Sequence, residues 1–259
     1  MLIDIDVDMQ YQLSGDDQIL LTILPAATSE QSVQQVRLDI ENASHRQMGT
    51  QGDAGQRIWA FVTGSAFNLR YQARVNVTRA PRDLASLAVV PMHSLPDEVL
   101  TYLRPSRFCQ SDLFTSFVGQ EFSHLENGAK LVAILNWVGA EIAYVSGSSD
   151  AGTTAIDTFV TRQGVCRDFA HLFCSLARAA GIPARYTSVY GVGVTPPDFH
   201  AVAQVWLDDG WHIVDPTGMT TPDAQVVIAT GRDAADVAFM ESSQPAQPIN
   251  QVIQVTQVT

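Results

Sequence analysis

The chain lacks any apolar run of the roughly eighteen or more residues that a bilayer-spanning helix needs, so no membrane role is expected. It is also poor in basic residues, with 15 Lys and Arg against 27 Asp and Glu, a net charge of −12 and an isoelectric point near 4.7. A phosphate backbone would be repelled, and no basic run with interleaved aromatics offsets this, so nucleic acid is excluded as a partner. Cysteine is scarce: three residues, an odd count without disulfide-like spacing, which fits a compartment that keeps thiols reduced. The opening MLIDIDVDMQYQLSG has neither a basic n-region nor an apolar h-region, so it is not a secretory signal, and the expected location is the cytoplasm.

What is present suits an ordinary globular protein. With 259 residues, 46% hydrophobic and 16% charged, the chain can bury a sizeable core as one large or two modest domains. Residues 1–85 read as a β-rich amino-terminal domain. Its strands include the alternating start of the chain, Ile19 to Leu24 ended by Pro25, Val33 to Ile40, Ile58 to Thr63 and Phe67 to Val77, separated by Gly, Asn and Asp clusters. A β-sandwich with one wet face is the expected result, supporting or docking something rather than catalysing. Residues 86–125 are a proline-marked linker with short helices, one around Asp97 to Leu103, followed by Cys109 as a packed thiol. Residues 126–259 form the remaining core. Helices are expected over 129–143 and 153–162, joined by the glycine- and serine-rich YVSGSSDAGTT, and the tail NQVIQVTQVT alternates as a last strand of either the core or the amino-terminal domain.

The chemistry is concentrated in QGVCRDFAHLFCSLARAAG, residues 163–181. Gly164 frees the backbone before a helix, Asp168 places a negative charge in its first turn, Gly181 supplies the C′ residue and Pro183 prevents continuation. Apolar residues spread around most of the circumference, which marks a helix buried on nearly all sides. Cys166 sits at the helix start, where the macrodipole and a neighbouring imidazolium can draw a thiol pKa from about 8.5 to roughly 3.5–7.5. The plain alternative is a packed cysteine acting as a small hydrophobe. His171 and Cys174 lie about 140° and 80° from Cys166 around the helix, at roughly 100° per residue, so a zinc cluster is not expected and both read as buried structural residues.

Residues 199–217, FHAVAQVWLDDGWHIVDPT, read as two strands around a turn. A two-residue loop at Asp208 and Asp209 sets Trp206 opposite Trp211 and Val202 opposite Asp215. His200 and Asp215 then share a face one diagonal step apart. A loop at Asp209 and Gly210 leaves two diagonal steps, and an odd-length loop separates the pair onto opposite faces. In the first register a cysteine, a histidine and an acid stand in nucleophile, base and orienter order.

GVCRDFAHLF, GIPARY, His200 and DPT at 215–217, within roughly residues 150–220, resemble the bacterial branch of the transglutaminase-like superfamily. The resemblance implies an α+β fold: an amino-terminal β-sandwich, then a papain-like core with a buried central helix on an antiparallel sheet. It also implies Cys166, His200 and Asp215 as a catalytic triad. Val202 and Gln204 depart from related sequences, which often carry tryptophan and glutamate there. Tyr144 and Gln163 are candidates to stabilise an oxyanion alongside the Cys166 amide. Trp206 and Trp211 are candidates for a substrate wall, with core packing as the alternative. The expected function is cysteine-dependent acyl chemistry on a peptide or protein amide through a thioester, hydrolysis favoured and transfer to an amine left open, with no cofactor. The alternative from another class is a scaffold that keeps the fold without turnover. Self-association stays open.

Overall fold

The computed structural model describes residues 1–49, 54–208 and 210–258. Six strands come first: β1 Leu2–Gln12, β2 Asp17–Leu24, β3 Gln31–Ile40, β4 Ala43–Met48, β5 Gln56–Val62 and β6 Ala66–Val77. A stretch of single helical turns then carries α1 Asp97–Leu100 and α2 Thr115–Glu121, followed by α3 Asn127–Glu141, β7 Ala143–Tyr144, α4 Ala155–Thr161, β8 Gln163–Gly164 and α5 Cys166–Ala179. The chain closes with β9 Ala184–Gly191, β10 His200–Leu207, β11 Gly210–Val214, β12 Gln225–Gly231, β13 Met240–Ser242 and β14 Gln247–Gln257.

The amino-terminal half is a sandwich of two antiparallel sheets, ordered β14-β1-β6-β3 and β13-β2-β5-β4. In β1 the period of two buries Ile3, Ile5, Val7, Met9 and Tyr11, and leaves Asp4 and Asp6 on the other face to pair with Arg74 and Arg70 of β6. Each fully buried aliphatic side chain contributes about 1.5–3 kcal/mol, so the inner face decides the register. The polar strand β4, ASHRQM, is exposed along most of its length and has no alternation by which to recognise it. The carboxy-terminal tail belongs to this half. It pairs along β1 from Ile3↔Gln257 to Gln12↔Gln247, while β13 pairs with β2 at Met240↔Leu21.

The second half is an antiparallel sheet ordered β11-β10-β9-β12 with α5 across one face. Every residue of α5 from Asp168 to Arg178 is buried, as its all-round apolar pattern requires. Gly181, at φ +79°, and Pro183 end the helix. Arg178, also buried, donates to the carbonyl oxygens of Ala184, Arg104 and Arg232 and to the Ser106 hydroxyl, stitching linker, sheet and β12 exit to the helix end. The sheet also meets the sandwich, whose core runs on into Ala170, Tyr186, Tyr190 and Ala201. Tyr190 donates to Ile23 O at 2.8 Å, Ala26 N to Val227 O at 2.8 Å, and the Gln31 amide spans Ala26 and Val227. Among the described residues no helix is long and apolar enough to cross a membrane.

Candidate active site

Cys166 is the first residue of α5 and is half-buried, whereas Cys109 and Cys174 are completely closed to solvent. Burial pushes the Cys109 thiol up to about 11, and the Cys174 thiol is raised further by burial and by Cys109. The helix start is locked by Asp168, whose Oδ2 accepts from Val165 N at 2.8 Å while Oδ1 faces Arg167 at 3.2 Å. Gly164 is needed here for a different reason from backbone freedom. A Cβ at this position would lie 2.7 Å from the Asp168 Cβ, so only glycine lets the cap close. Arg167 reaches back to the carbonyl oxygen of Asp150, which ties the glycine- and serine-rich loop to the start of α5.

His200 opens β10, and Asp215 follows β11. The strands pair Trp206↔Trp211 and Leu207↔Gly210, the register in which His200 and Asp215 share a face. Asp208, at φ +49°, begins the turn and docks it on Ala88, donating to its carbonyl and accepting from its amide at 2.8 Å each; Asp209 lies outside the described residues. His200 Nε2 lies 3.0 Å from Asp215 Oδ2, with the two side chains 0% and 2% exposed. The carboxylate is otherwise satisfied by the amide and hydroxyl of Thr217 at 2.9 and 2.7 Å and by the amide of Thr220 at 3.0 Å. The first of these contacts is an Asx-turn, for which Asp-Pro-Thr is a readable signal that the sequence analysis left unused.

The second ring nitrogen of His200, Nδ1, is buried with no hydrogen-bond partner among the described residues. The Cys166 sulfur interacts with this ring, and Nε2 is already taken by Asp215. The imidazole thus has Nε2 on the carboxylate and lies within electrostatic reach of the thiol. Burial alone would lower the His200 pKa. The Asp215 hydrogen bond and charge, with those of Cys166, outweigh it and raise the pKa to about 9, so the ring carries its proton at neutral pH. Burial would raise Asp215, but the His200 bond and charge and the Thr217 bonds hold it below the usual carboxylate range.

Tyr144 is brought to the same point by the two-residue parallel pairing of β7 with β8, in which Tyr144 lies opposite Gly164. Its hydroxyl lies within electrostatic reach of the backbone amide and thiol of Cys166; burial and then the Cys166 charge raise its pKa to about 12. Gln163 is exposed, one residue off that pairing, and nothing directs its side chain to Cys166. Trp206 and Trp211 are not brought to the site. They pack edge to face at 5.3 Å with Arg185 over the Trp211 ring at 4.0 Å and Tyr102 beyond it. They keep the parity of His200, but six residues of strand separate Trp206 from it by about 20 Å. At the two departures, Val202 is fully buried against Ala26 and Val189, and Gln204 accepts from Arg185 at 2.7 Å. A neutral amide therefore receives the guanidinium where related sequences often carry a carboxylate.

Tyr186, absent from the sequence reading because an apolar strand gives no signal for it, is buried beside the site. Burial and then the Cys166 charge hold its hydroxyl well above the usual phenol range. His171 is buried between the Phe108 and Tyr186 rings and accepts from Ala234 N at 3.1 Å, and burial keeps it neutral. Residues 231–236 meet α5 at His171 and Arg178. Among the described residues no three His, Cys, Asp or Glu side chains are grouped as metal ligands would be.

The model of the transglutaminase-like superfamily matches residues 118–216. The crystal structure of a "putative cysteine protease" from Cytophaga hutchinsonii superposes with a TM-score of 0.90 at 32% identity, covering 100% of this chain and 92% of that one. An uncharacterized protein of Mycobacterium leprae is 31% identical over 166 residues, 60% of this chain and 57% of its own length. A protein-glutamine gamma-glutamyltransferase of Pseudomonas aeruginosa is 32% identical over 115 residues, 39% of this chain and 17% of its own. The chain thus spans between one sixth and three fifths of these two curated relatives. With near-complete coverage of a solved structure at that identity and the family's core motifs in order, the chain belongs to the transglutaminase-like superfamily.

Proposed function

We propose that the protein performs cysteine-dependent acyl chemistry on a peptide or protein amide, with water as the favoured acceptor. One observation carries the reading: a half-buried thiol at the start of α5 interacts with an imidazole whose other nitrogen is held 3.0 Å from a buried carboxylate. The likeness to a "putative cysteine protease" and to a protein-glutamine gamma-glutamyltransferase supports the same class of chemistry.

In this reading the Cys166 thiolate adds to the amide carbonyl carbon, and the carbonyl electron pair moves to oxygen beside the Cys166 amide and the Tyr144 hydroxyl. Imidazolium His200 gives its proton to the departing nitrogen as the C–N bond breaks, leaving a thioester on Cys166. Neutral His200 then takes a proton from water, the hydroxide equivalent adds to the thioester, and loss of the thiolate releases the acid and restores the ion pair. An amine in place of water yields a new amide by the same steps. Asp215 holds the ring orientation and its positive charge throughout.

The test is the rate of Cys166 alkylation by iodoacetamide from pH 5 to 10, with the modified residue identified by mass spectrometry. An ion pair gives substantial reactivity well below pH 8 that His200→Ala abolishes. A wild-type profile that rises only near pH 8–9, unchanged in His200→Ala, overturns the proposal and leaves the scaffold reading.

A further inference from the structure

The loop between β9 and β10 carries Asp198, two residues before His200. Asp198 Oδ1 accepts from Phe199 N at 2.8 Å and from the Gln251 side-chain amide of β14 at 2.9 Å; Gln251 in turn accepts from the Tyr11 hydroxyl at 2.9 Å. The sandwich thereby holds this carboxylate in place. Among the described residues no arginine, lysine or histidine lies within ion-pair distance of it, although Asp4, Asp6, Asp168, Asp215 and Asp236 all have such a partner. Asp198 is exposed, and its charge and that of Cys166 both reach the Tyr144 hydroxyl. It also lines a cleft of about 170 Å³ between the loop and β14, whose solvent-reaching apolar walls are Pro197 and Val255, with Val194 and Ile253 buried behind them, and in which it is the only charged side chain among the described residues. That volume is below the roughly 300–1,000 Å³ of sites for small-molecule ligands and suits one side chain. Apolar walls with a single fixed carboxylate complement an aliphatic stem ending in a cation.

We propose that Asp198 is a specificity-determining residue that receives the ammonium group of a lysine-type side chain in the substrate, its methylenes lying along Pro197 and Val255. The inference rests on Cys166 acting as the nucleophile. It assigns the amino-terminal sandwich a part in substrate choice, through the grip of Gln251 on Asp198 and the β14 wall of the cleft.

The experiment compares inactivation at Cys166 by tosyl-lysyl chloromethyl ketone and by its norleucyl analogue, which keeps the stem and lacks the charge. The wild type is expected to react faster with the lysyl reagent. Asp198→Asn lowers the lysyl-to-norleucyl ratio about three- to fivefold, the range of one exposed charge contact, with the norleucyl rate held within about twofold. Asp198→Glu retains most of the ratio, and Asp39→Asn, an exposed acid on β3, leaves it unchanged. A wild-type ratio near one with Cys166 labelled by both reagents overturns the subsite and spares the nucleophile. An equal loss in Asp39→Asn also overturns it, assigning the preference to the overall negative charge. A Cys166 that neither reagent labels overturns both readings.

Discussion

His200 Nε2 and Asp215 Oδ2 stand 3.0 Å apart, both side chains closed to solvent, and three further donors from Thr217 and Thr220 surround the carboxylate. A carboxylate so fully bonded cannot turn away from the ring. The imidazole is therefore held with its other nitrogen free for sulfur, and its positive charge is favoured over the neutral form.

Asp215→Asn is expected to keep the fold and most of the hydrogen bonds while losing the charge that holds the imidazolium. Turnover should fall about 10²- to 10⁴-fold, the range of a lost orienting acid. The alkaline edge of the turnover profile, where His200 loses the proton it gives to the leaving nitrogen, should move down from about 9, because the main partner that raises His200 is gone. An unchanged edge with normal circular dichroism would show that the charge of Asp215 is immaterial.

Stability should depend on His200 with a definite sign. Its folded pKa, about 9, lies above its unfolded value of about 6.5, so the folded state binds the proton more tightly. The resulting stabilisation is complete below about pH 6.5 and disappears as pH rises through about 9. Urea midpoints measured from pH 6 to 10 should fall over that window in the wild type and fall less in His200→Ala.

Tyr144→Phe removes a hydroxyl that lies within electrostatic reach of Cys166. As an oxyanion donor, its loss should cost about 10²- to 10³-fold in kcat with KM little altered, while iodoacetamide still labels Cys166. A raised KM at constant kcat would instead make Tyr144 a substrate contact.

Arg178→Met removes the donor to three backbone carbonyls at the far end of α5, leaving that of Ala184 buried without it. The expected loss is about 2–4 kcal/mol in urea denaturation. Twelve residues of helix place this change about 18 Å from Cys166, so the alkylation rate of the folded protein should stay near that of the wild type.

Much of this site was legible because it is encoded locally. The limits of α5 follow from Asp168, Gly181 and Pro183, its burial from its all-round apolar pattern, and the β10–β11 register from a two-residue turn that sets Trp206 against Trp211. Strand β4 went unread because an edge strand exposed on both faces has no period. The two tryptophans were read as a wall because parity tells a face but not a distance along it.

Caps, periods and turn lengths are properties of neighbouring residues, so the chain by itself determined the helix that carries Cys166, the strands that carry His200 and Asp215, and their order. Tertiary structure alone decided that Tyr144 meets Cys166 through a two-residue pairing, that Gly164 is needed for the approach of Asp168, and that Gln251 on the last strand grips Asp198 beside His200. Those contacts join segments that no local periodicity relates, and they exist only once burial of the shared core has packed the sandwich against the sheet.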